Sequence, residues 1–380
     1  MPLNSALYIV CLLTGCAVFW LMPLRFRACF LLSLSVLFFL YAGVLHLAIA
    51  LLLTLHTYVV ARSLIQKPRR MLLAYGIAVL VLALLFWKLP MAVQSSFGIL
   101  GTVALPLGIS YFTFECIHIL ADTYRGAITE LPFFDMLSCT LFFPTRGGGP
   151  IKRFRRFADQ LHSPTPEARY FWYGAGFLLL GFAQKIIIAD PLAPFTRELQ
   201  SLSAVHGSVE TLVHLYAYSV FIYADFAGLS NIAIGSALLF GIVVPKNFAY
   251  PYLQPSIALF WRRWHMSLSD WVRDYIYIPL GGNRVGMPRM LVNLIIPMLI
   301  IGAWHGLTAN FLAWGLYHGI GLAIHRVWSK SVKLPAVHPL LARAVGIILT
   351  FHFVTLGWIF FATDSLSGSL RLLHMLFPIF

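Results

Sequence analysis

Residues 71–89 read MLLAYGIAVLVLALLFWKL, and their one charged side chain, Lys88, lies at the far end. A helix needs roughly 20 mostly apolar residues to cross the hydrocarbon core of a bilayer. Comparable runs stand on both sides: 4–23, 28–43 and 44–61 before it, then 100–121, 170–189, 208–224, 226–244, 290–304, 308–325 and 343–361 after it. Only helices and closed barrels span lipid, because every backbone N–H and C=O must be satisfied there. Barrel strands would alternate apolar and polar residues with period two. These runs are continuous and rich in Leu, Ala and Ile, which selects helices. The expectation is an all-α polytopic membrane protein with about ten to twelve transmembrane or re-entrant helices. It forms a single integral membrane domain over 1–380, with scaffold helices in 1–90, a catalytic core in 105–325 and C-terminal helices in 340–380.

Composition agrees. Of 380 residues, 60% are hydrophobic and 11% charged, against about 25% charged in soluble domains. The net charge of +14 is clustered. Arg25 and Arg27 follow the first run, and Arg62, Lys67, Arg69 and Arg70 follow the third, while the links after the second and fourth carry only Lys88. This alternation places the N-terminus outside a multi-pass plasma (inner) membrane protein in contact with lipid. The cations flank spans and build no soluble basic face, so nucleic acid is not an expected partner. Met1–Val10 holds no Lys or Arg and no small-residue cleavage site follows, so the N-terminal run reads as the first span and not as a cleavable signal. Cys11, Cys16, Cys29, Cys116 and Cys139 form no CxxC pair and read as apolar packing residues.

Three polar interruptions precede the densest one. In LPLGISYFTFECIHILADTYRG (105–126), Glu115, His118 and Asp122 share one helix face by their spacing. Ionisable groups inside a membrane face a bundle interior or a wet cavity, and an interhelical polar network is the preferred reading here. LFFPTRGGGPIKRFRRF (141–157) has too many Gly and Pro residues for a regular helix. Its backbone and cations suit either a phosphate or an ordinary positive-inside loop. Lys185 and Asp190, at the end of a run, read as snorkelling groups.

Residues 223–284 are the most polar stretch of the chain. Asp225, Ser230 and Asn231 interrupt a span, and FWRRWHMSLSDWVRDYIYIPLGGNR follows at 260–284. This second part is too polar for an ordinary span and too aromatic for a solvated loop, which suits a helix lying in or dipping into the interface. Arg262, Arg263 and Arg273 match the phosphates of an acyl carrier or of coenzyme A. Pairing of Arg273 with Asp270 and Asp274 is the competing structural reading. His305 lies within 290–325, which contain no Asp, Glu, Lys or Arg, and an ionisable group in such a setting reads as functional. His265, on a different segment, can converge with it. His318 lies 13 residues beyond His305, about 20 Å along one continuous helix. That excludes a shared reacting centre and gives His318 a structural or interfacial role.

Histidine accepts a hydroxyl proton near neutral pH, and an apolar setting keeps it in the neutral form that a base needs. No GxSxG elbow appears to support a serine hydrolase. No HExxH motif or close His/Cys set appears, so no metal is expected.

Four stretches carry a resemblance to the membrane-bound O-acyltransferase family: LPLGISYFTFECIHILADTYRG, YADFAGLSNIAIG, FWRRWHMSLSDWVRDYIYIPLGGNR and GAWHGLTANFLAWGLYHG. They stand in family order, and FHFVTLGWIFFATDSLSGSL extends the similarity to about residue 370. RDYIYIPLGGNR is similar to the bacterial polysaccharide O-acetylation branch typified by alginate. GGGPI replaces the AGPI usual in that branch, and the chain ends at Phe380, earlier than many of its members. The resemblance implies that His305 is the catalytic histidine and His265 the second motif position. It also implies a cytoplasmic acyl thioester donor, acetyl-CoA or an acyl carrier protein, used as substrate with no bound cofactor. The acyl group would pass through a funnel to an extracytoplasmic polysaccharide or a partner acyltransferase. With these histidines, Trp261, Arg262, Arg263, Trp264, Ser267, Asp270, Arg273, Asp274 and Asn310 are grouped as substrate-binding. Rival readings are D-alanyl transfer to a teichoic acid-type polymer, a lipid-linked glycan transporter, and an inactive scaffold for a secreted acyltransferase. The absence of internal repeats weighs against the transporter, and the presence of both histidines against the scaffold.

Overall fold

The computed structural model describes residues 2–88, 106–162, 164, 167–201, 207–331 and 338–378, and every regular element in them is helical. In chain order the helices are α1 (Ala6–Leu21), α2 (Leu24–Ala42), α3 (Val44–Gln66), α4 (Arg70–Lys88), α5 (Ile109–Tyr124), α6 (Phe133–Leu141), α7 (Phe154–His162) and α8 (Ala168–Phe182). A π-helical stretch, Ala183–Ala189, leads into α9 (Asp190–Ser201). Then follow α10 (Ser208–Leu239), α11 (Ile257–Trp261), α12 (Met266–Val272), α13 (Met287–His305), α14 (Ala309–Ser331), α15 (Pro339–Ala362) and α16 (Leu366–Leu376). Among the described residues, seven helices are long and apolar enough to cross a membrane. Leu89 and the first residues of the expected 100–121 run lie outside the described residues.

Local chemistry sets the helix ends. The Ser5 hydroxyl accepts from the Tyr8 N–H and caps α1. Pro23 separates α1 from α2, and Gly43, at φ 137°, ends α2 with its N–H on the Phe39 carbonyl. Pro288 sits in the first turn of α13, where its missing N–H removes no helical hydrogen bond.

The chain divides into two compact units, Met1–Ala183 with Gly228–Lys246, and Gln184–Ala227 with Asn247–Phe380. In the first, a buried ion cluster holds the 142–153 loop to α5. Glu115 receives Arg146 Nη2 on Oε2 at 2.6 Å and Lys152 Nζ on Oε1 at 2.7 Å. Lys152 Nζ also donates to Thr145 Oγ1 at 2.9 Å. One turn on from Glu115, His118 Nε2 accepts the Phe154 N–H at 3.1 Å. Glu115, His118, Arg146 and Lys152 are all buried. Arg146 and Lys152 therefore face a carboxylate, and the expectation that these loop cations meet a phosphate or the cytoplasm is overturned for both. The glycines permit this geometry: a Cβ on Gly149 would lie 2.6 Å from Thr145 Cα, and Gly148 has φ +114°. The polar network expected of Glu115 and His118 is present, and Asp122 lies 4.0 Å from Arg125.

Two further expectations are corrected. The runs 208–224 and 226–244 are one helix, α10, whose 32 residues extend about 48 Å. Its polar residues do not break it because they are satisfied sideways. Asp225 pairs with Lys185 at 2.8 Å, and the Ser230 hydroxyl donates to the Gly148 carbonyl at 3.1 Å. Lys185 also bonds Asp190 at 2.6 Å, so it is held between two carboxylates and does not snorkel.

Candidate active site

The second unit carries the site. Its frame is an antiparallel hairpin of α13 and α14, zipped by glycines. A Cβ on Gly315 would meet the Met298 carbonyl at 2.5 Å, and one on Gly319 would meet Ile295 Cα at 2.9 Å. Small residues let helices in lipid approach to backbone contact. The turn between the helices, Gly306–Thr308, follows His305 directly. His305 and His318 thus lie on different helices, and the continuous-helix estimate of their separation is wrong. One indole stands between them: Trp314 is 5.5 Å from the His305 ring and 5.0 Å from the His318 ring, centroid to centroid. His318 is fully buried.

His305 is half-buried at the C-terminal end of α13, with Phe361 at 4.7 Å and Trp304 at 4.4 Å between ring centroids. His265 approaches the same Trp304 at 6.3 Å and meets the edge of Phe226 at 4.7 Å. The two histidines expected to converge thus both lie against one indole. His265 is buried, and its backbone is left-handed, with φ 43° and ψ 54°. Side chains seldom adopt this conformation, and it persists where the surroundings enforce it. The enforcement is visible: the Met266 N–H donates to the Asn247 carbonyl at 2.8 Å, and the His265 carbonyl receives the Leu268 and Ser269 N–H groups at 3.0 Å each. Burial lowers the His265 imidazole pKa to about 3, so this ring stays neutral at physiological pH.

The same unit holds a cavity of about 640 Å³ that is lined by neighbours of the histidines and not by the histidines themselves. Trp261, Arg262, Arg263, Asp270 and Arg273 line its polar part, and Leu294, Pro297, Met298 and Ile301 line its apolar part. Met266, which follows His265, also reaches it, and Ile301 precedes His305 by one turn. Arg262 and Arg263 make no ion pair among the described residues, whereas Arg273 bonds Asp270 at 2.6 Å and Asp274 at 2.9 Å. The phosphate and pairing readings therefore divide: two arginines remain available to an anion and the third is already paired.

Other residues grouped as substrate-binding make contacts within the fold. Trp264 stacks on Phe260 at 5.4 Å and packs against Trp358 at 5.1 Å. The Ser267 hydroxyl donates to Asn247 Oδ1 at 2.6 Å. Asn310 Nδ2 donates to the Thr363 carbonyl at 2.6 Å and the Phe360 carbonyl at 3.1 Å, tying α14 to the end of α15. Sequence reasoning missed His318 and Trp314 as neighbours of His305. The available signal was Gly306 and Thr308, which punctuate an apolar run.

Comparison with known proteins identifies the family. Residues 18–363 match the family model described as MBOAT, membrane-bound O-acyltransferase family. The "Probable alginate O-acetylase AlgI" of Pseudomonas syringae pv. tomato is 35% identical over 377 residues, covering 95% of this chain and 72% of that protein. The "Peptidoglycan O-acetyltransferase" of Helicobacter pylori is 34% identical over 301 residues, covering 71% of this chain and 56% of that protein. The "Teichoic acid D-alanyltransferase" of Bacillus subtilis is 34% identical over 273 residues, covering 67% of this chain and 68% of that protein.

Proposed function

From the premise that this chain belongs to the membrane-bound O-acyltransferase family, we propose that it moves an acetyl group from a cytoplasmic thioester to a hydroxyl of an extracytoplasmic polysaccharide, directly or through a partner acyltransferase. The observation that carries this reading is the approach of His265 and His305 to Trp304 in a unit whose cavity is lined by Arg262 and Arg263, two arginines that make no ion pair among the described residues.

His305 is the general base. It takes the proton of the acceptor hydroxyl as the oxygen attacks the thioester carbonyl. The C–O bond forms, the C–S bond breaks, and the proton leaves on sulfur. The carbonyl end of α13 stabilises the positive charge that His305 gains during the transfer. His265, held neutral, offers a ring N–H to the acceptor or to the polarised carbonyl. Arg262 and Arg263 take the phosphates of the donor, since a guanidinium fork matches phosphate oxygens. The basic links at 25–27 and 62–70 face the cytoplasm.

Purified protein in proteoliposomes, offered radiolabelled acetyl-coenzyme A or a D-alanyl carrier-protein thioester with an added glycan, tests the reading. Acetyl transfer that His305→Ala abolishes supports it. Transfer of D-alanine alone would move the protein to teichoic acid-type chemistry, in line with the 34% identity to that relative. Transfer from neither thioester would refute the donor class. A cysteine placed at position 66 that reacts with an impermeant reagent from outside the cell would overturn the orientation.

A further inference from the structure

Among the buried polar atoms of the second unit that lack a hydrogen-bond partner among the described residues, four belong to neighbouring rings: Nδ1 and Nε2 of His318, Nε1 of Trp261 and Nε1 of Trp314. They belong to three mutually adjacent rings. Trp261 and Trp314 are 5.7 Å apart between centroids, Trp261 and His318 5.3 Å, and Trp314 and His318 5.0 Å. Buried polar groups are almost always satisfied, and an unmade hydrogen bond in such surroundings is costly. A group of orphans in one place therefore marks a missing ligand more than a packing accident. The backbone is fitted to the His318 ring: Gly357 faces it, and a Cβ there would lie 2.7 Å from Nε2, so any side chain at 357 would displace the imidazole.

The ring chemistry defines the occupant. An indole N–H only donates, and a neutral imidazole supplies one donor and one acceptor. The cluster thus presents three donors against one acceptor, and asks for a ligand rich in lone pairs. Its position says which part of a substrate this is. Trp261 lines the cavity that Arg262 and Arg263 share, and Trp314 touches His305 at 5.5 Å. The cluster stands between the anion-binding end and the proposed base.

We propose that Trp261, His318 and Trp314 form a donor-rich cradle for the thioester end of the acyl donor, holding its carbonyl oxygen and then its departing sulfur beside His305. This assignment rests on the acyl-transfer reading above and adds the binding residues for the leaving group. As the acceptor oxygen bonds to the carbonyl carbon and the C–S bond breaks, negative charge moves to oxygen and then to sulfur. Fixed N–H donors in a dry aromatic setting stabilise such charge without solvent reorganisation. The sulfur finally receives the proton that His305 took from the hydroxyl, so no other reactant is required.

Trp261→Phe and Trp314→Phe test this, because each keeps a ring and deletes one N–H. Transfer is measured with whichever thioester, acetyl-coenzyme A or the D-alanyl carrier protein, the wild-type chain uses. We expect kcat to fall about tenfold or more in Trp314→Phe, and the donor KM to rise in Trp261→Phe. Thermal stability should hold or increase in both, since each loses an unsatisfied polar atom. His318→Asn, which retains an N–H on a shorter side chain, should keep more activity than His318→Ala. Wild-type kinetics in both tryptophan variants would overturn the cradle while leaving the acyltransferase reading intact. A parallel fall of stability and activity would equally overturn it, showing that the N–H groups serve buried structural water. A wild-type chain active with neither thioester would remove the premise and the cradle together.

Discussion

The two units bury polar groups in opposite ways. In the first, Glu115 accepts from Arg146 and Lys152, and both carboxylate oxygens are occupied by cations of the same loop. In the second, His318, Trp261 and Trp314 present polar atoms to one another's rings with no acceptor or donor among the described residues. The first cluster saturates its carboxylate from its own sequence, although Arg146 Nε and Nη1 have no partner among the described residues, whereas in the second none of the four ring nitrogens is paired. An ionic cluster of this kind fixes a geometry, because loss of any partner would leave the others buried and uncompensated. An open cluster beside a cavity is organised for something that arrives later.

The sharpest test of that contrast is His305→Ala. It should lower the acyl-transfer rate by about 10² to 10⁴, the usual worth of a general base, with an unchanged melting temperature in detergent. A comparable loss of stability would place His305 with the residues that fix geometry. The mirror experiment is Glu115→Gln, which leaves two buried cations without their carboxylate. Removing one partner of a buried pair costs about 3–5 kcal/mol, so the variant should melt far lower or fail to accumulate. Its correctly folded fraction should nevertheless transfer at the wild-type rate, and a selective loss of turnover would break the division between the units.

Smaller effects refine the boundary. Arg262→Gln and Arg263→Gln should weaken donor affinity about ten- to hundredfold, from ~1.5–3 kcal/mol of charge-assisted contact. Lysine should restore only part of it, because it returns the charge without the planar fork. Arg273→Gln should change affinity less, since its guanidinium is already held by Asp270 and Asp274; an equal effect in donor titrations would contradict the assignment. The mildest change is Lys185→Met. Its ion pairs with Asp190 and Asp225 are partly exposed and should contribute about 1 kcal/mol or less, read as a small shift in thermal unfolding.

Much of this architecture is legible in the chain because its solvent is lipid. A continuous apolar run such as 71–89 has few stable alternatives to a helix, and Arg70–Lys88 is one. Pairing between distant residues is less legible. Glu115 and Lys152 are separated by 37 positions, and nothing local distinguishes a loop lysine that reaches a buried carboxylate from one that faces headgroups. Asp225 misled for the same reason: its cost inside an apolar helix is removed by Lys185, which belongs to another segment. The His305–His318 error came from reading helix continuity through Gly306. There the apolar pattern persists across a turn, because both arms of the hairpin are equally apolar.

The left-handed backbone of His265 has a genetic consequence. Its codon is one base change from those for Asn, Asp, Gln, Arg, Leu, Pro and Tyr. Of these, Asn and Asp adopt φ near +43° with least strain, whereas proline is locked at negative φ. Drift at this position therefore meets two filters, one for imidazole chemistry and one for main-chain shape. Asparagine passes the second and can preserve a folded chain long enough for a second-site change to restore turnover. Leucine and proline lose the imidazole and also strain the main chain in a single step.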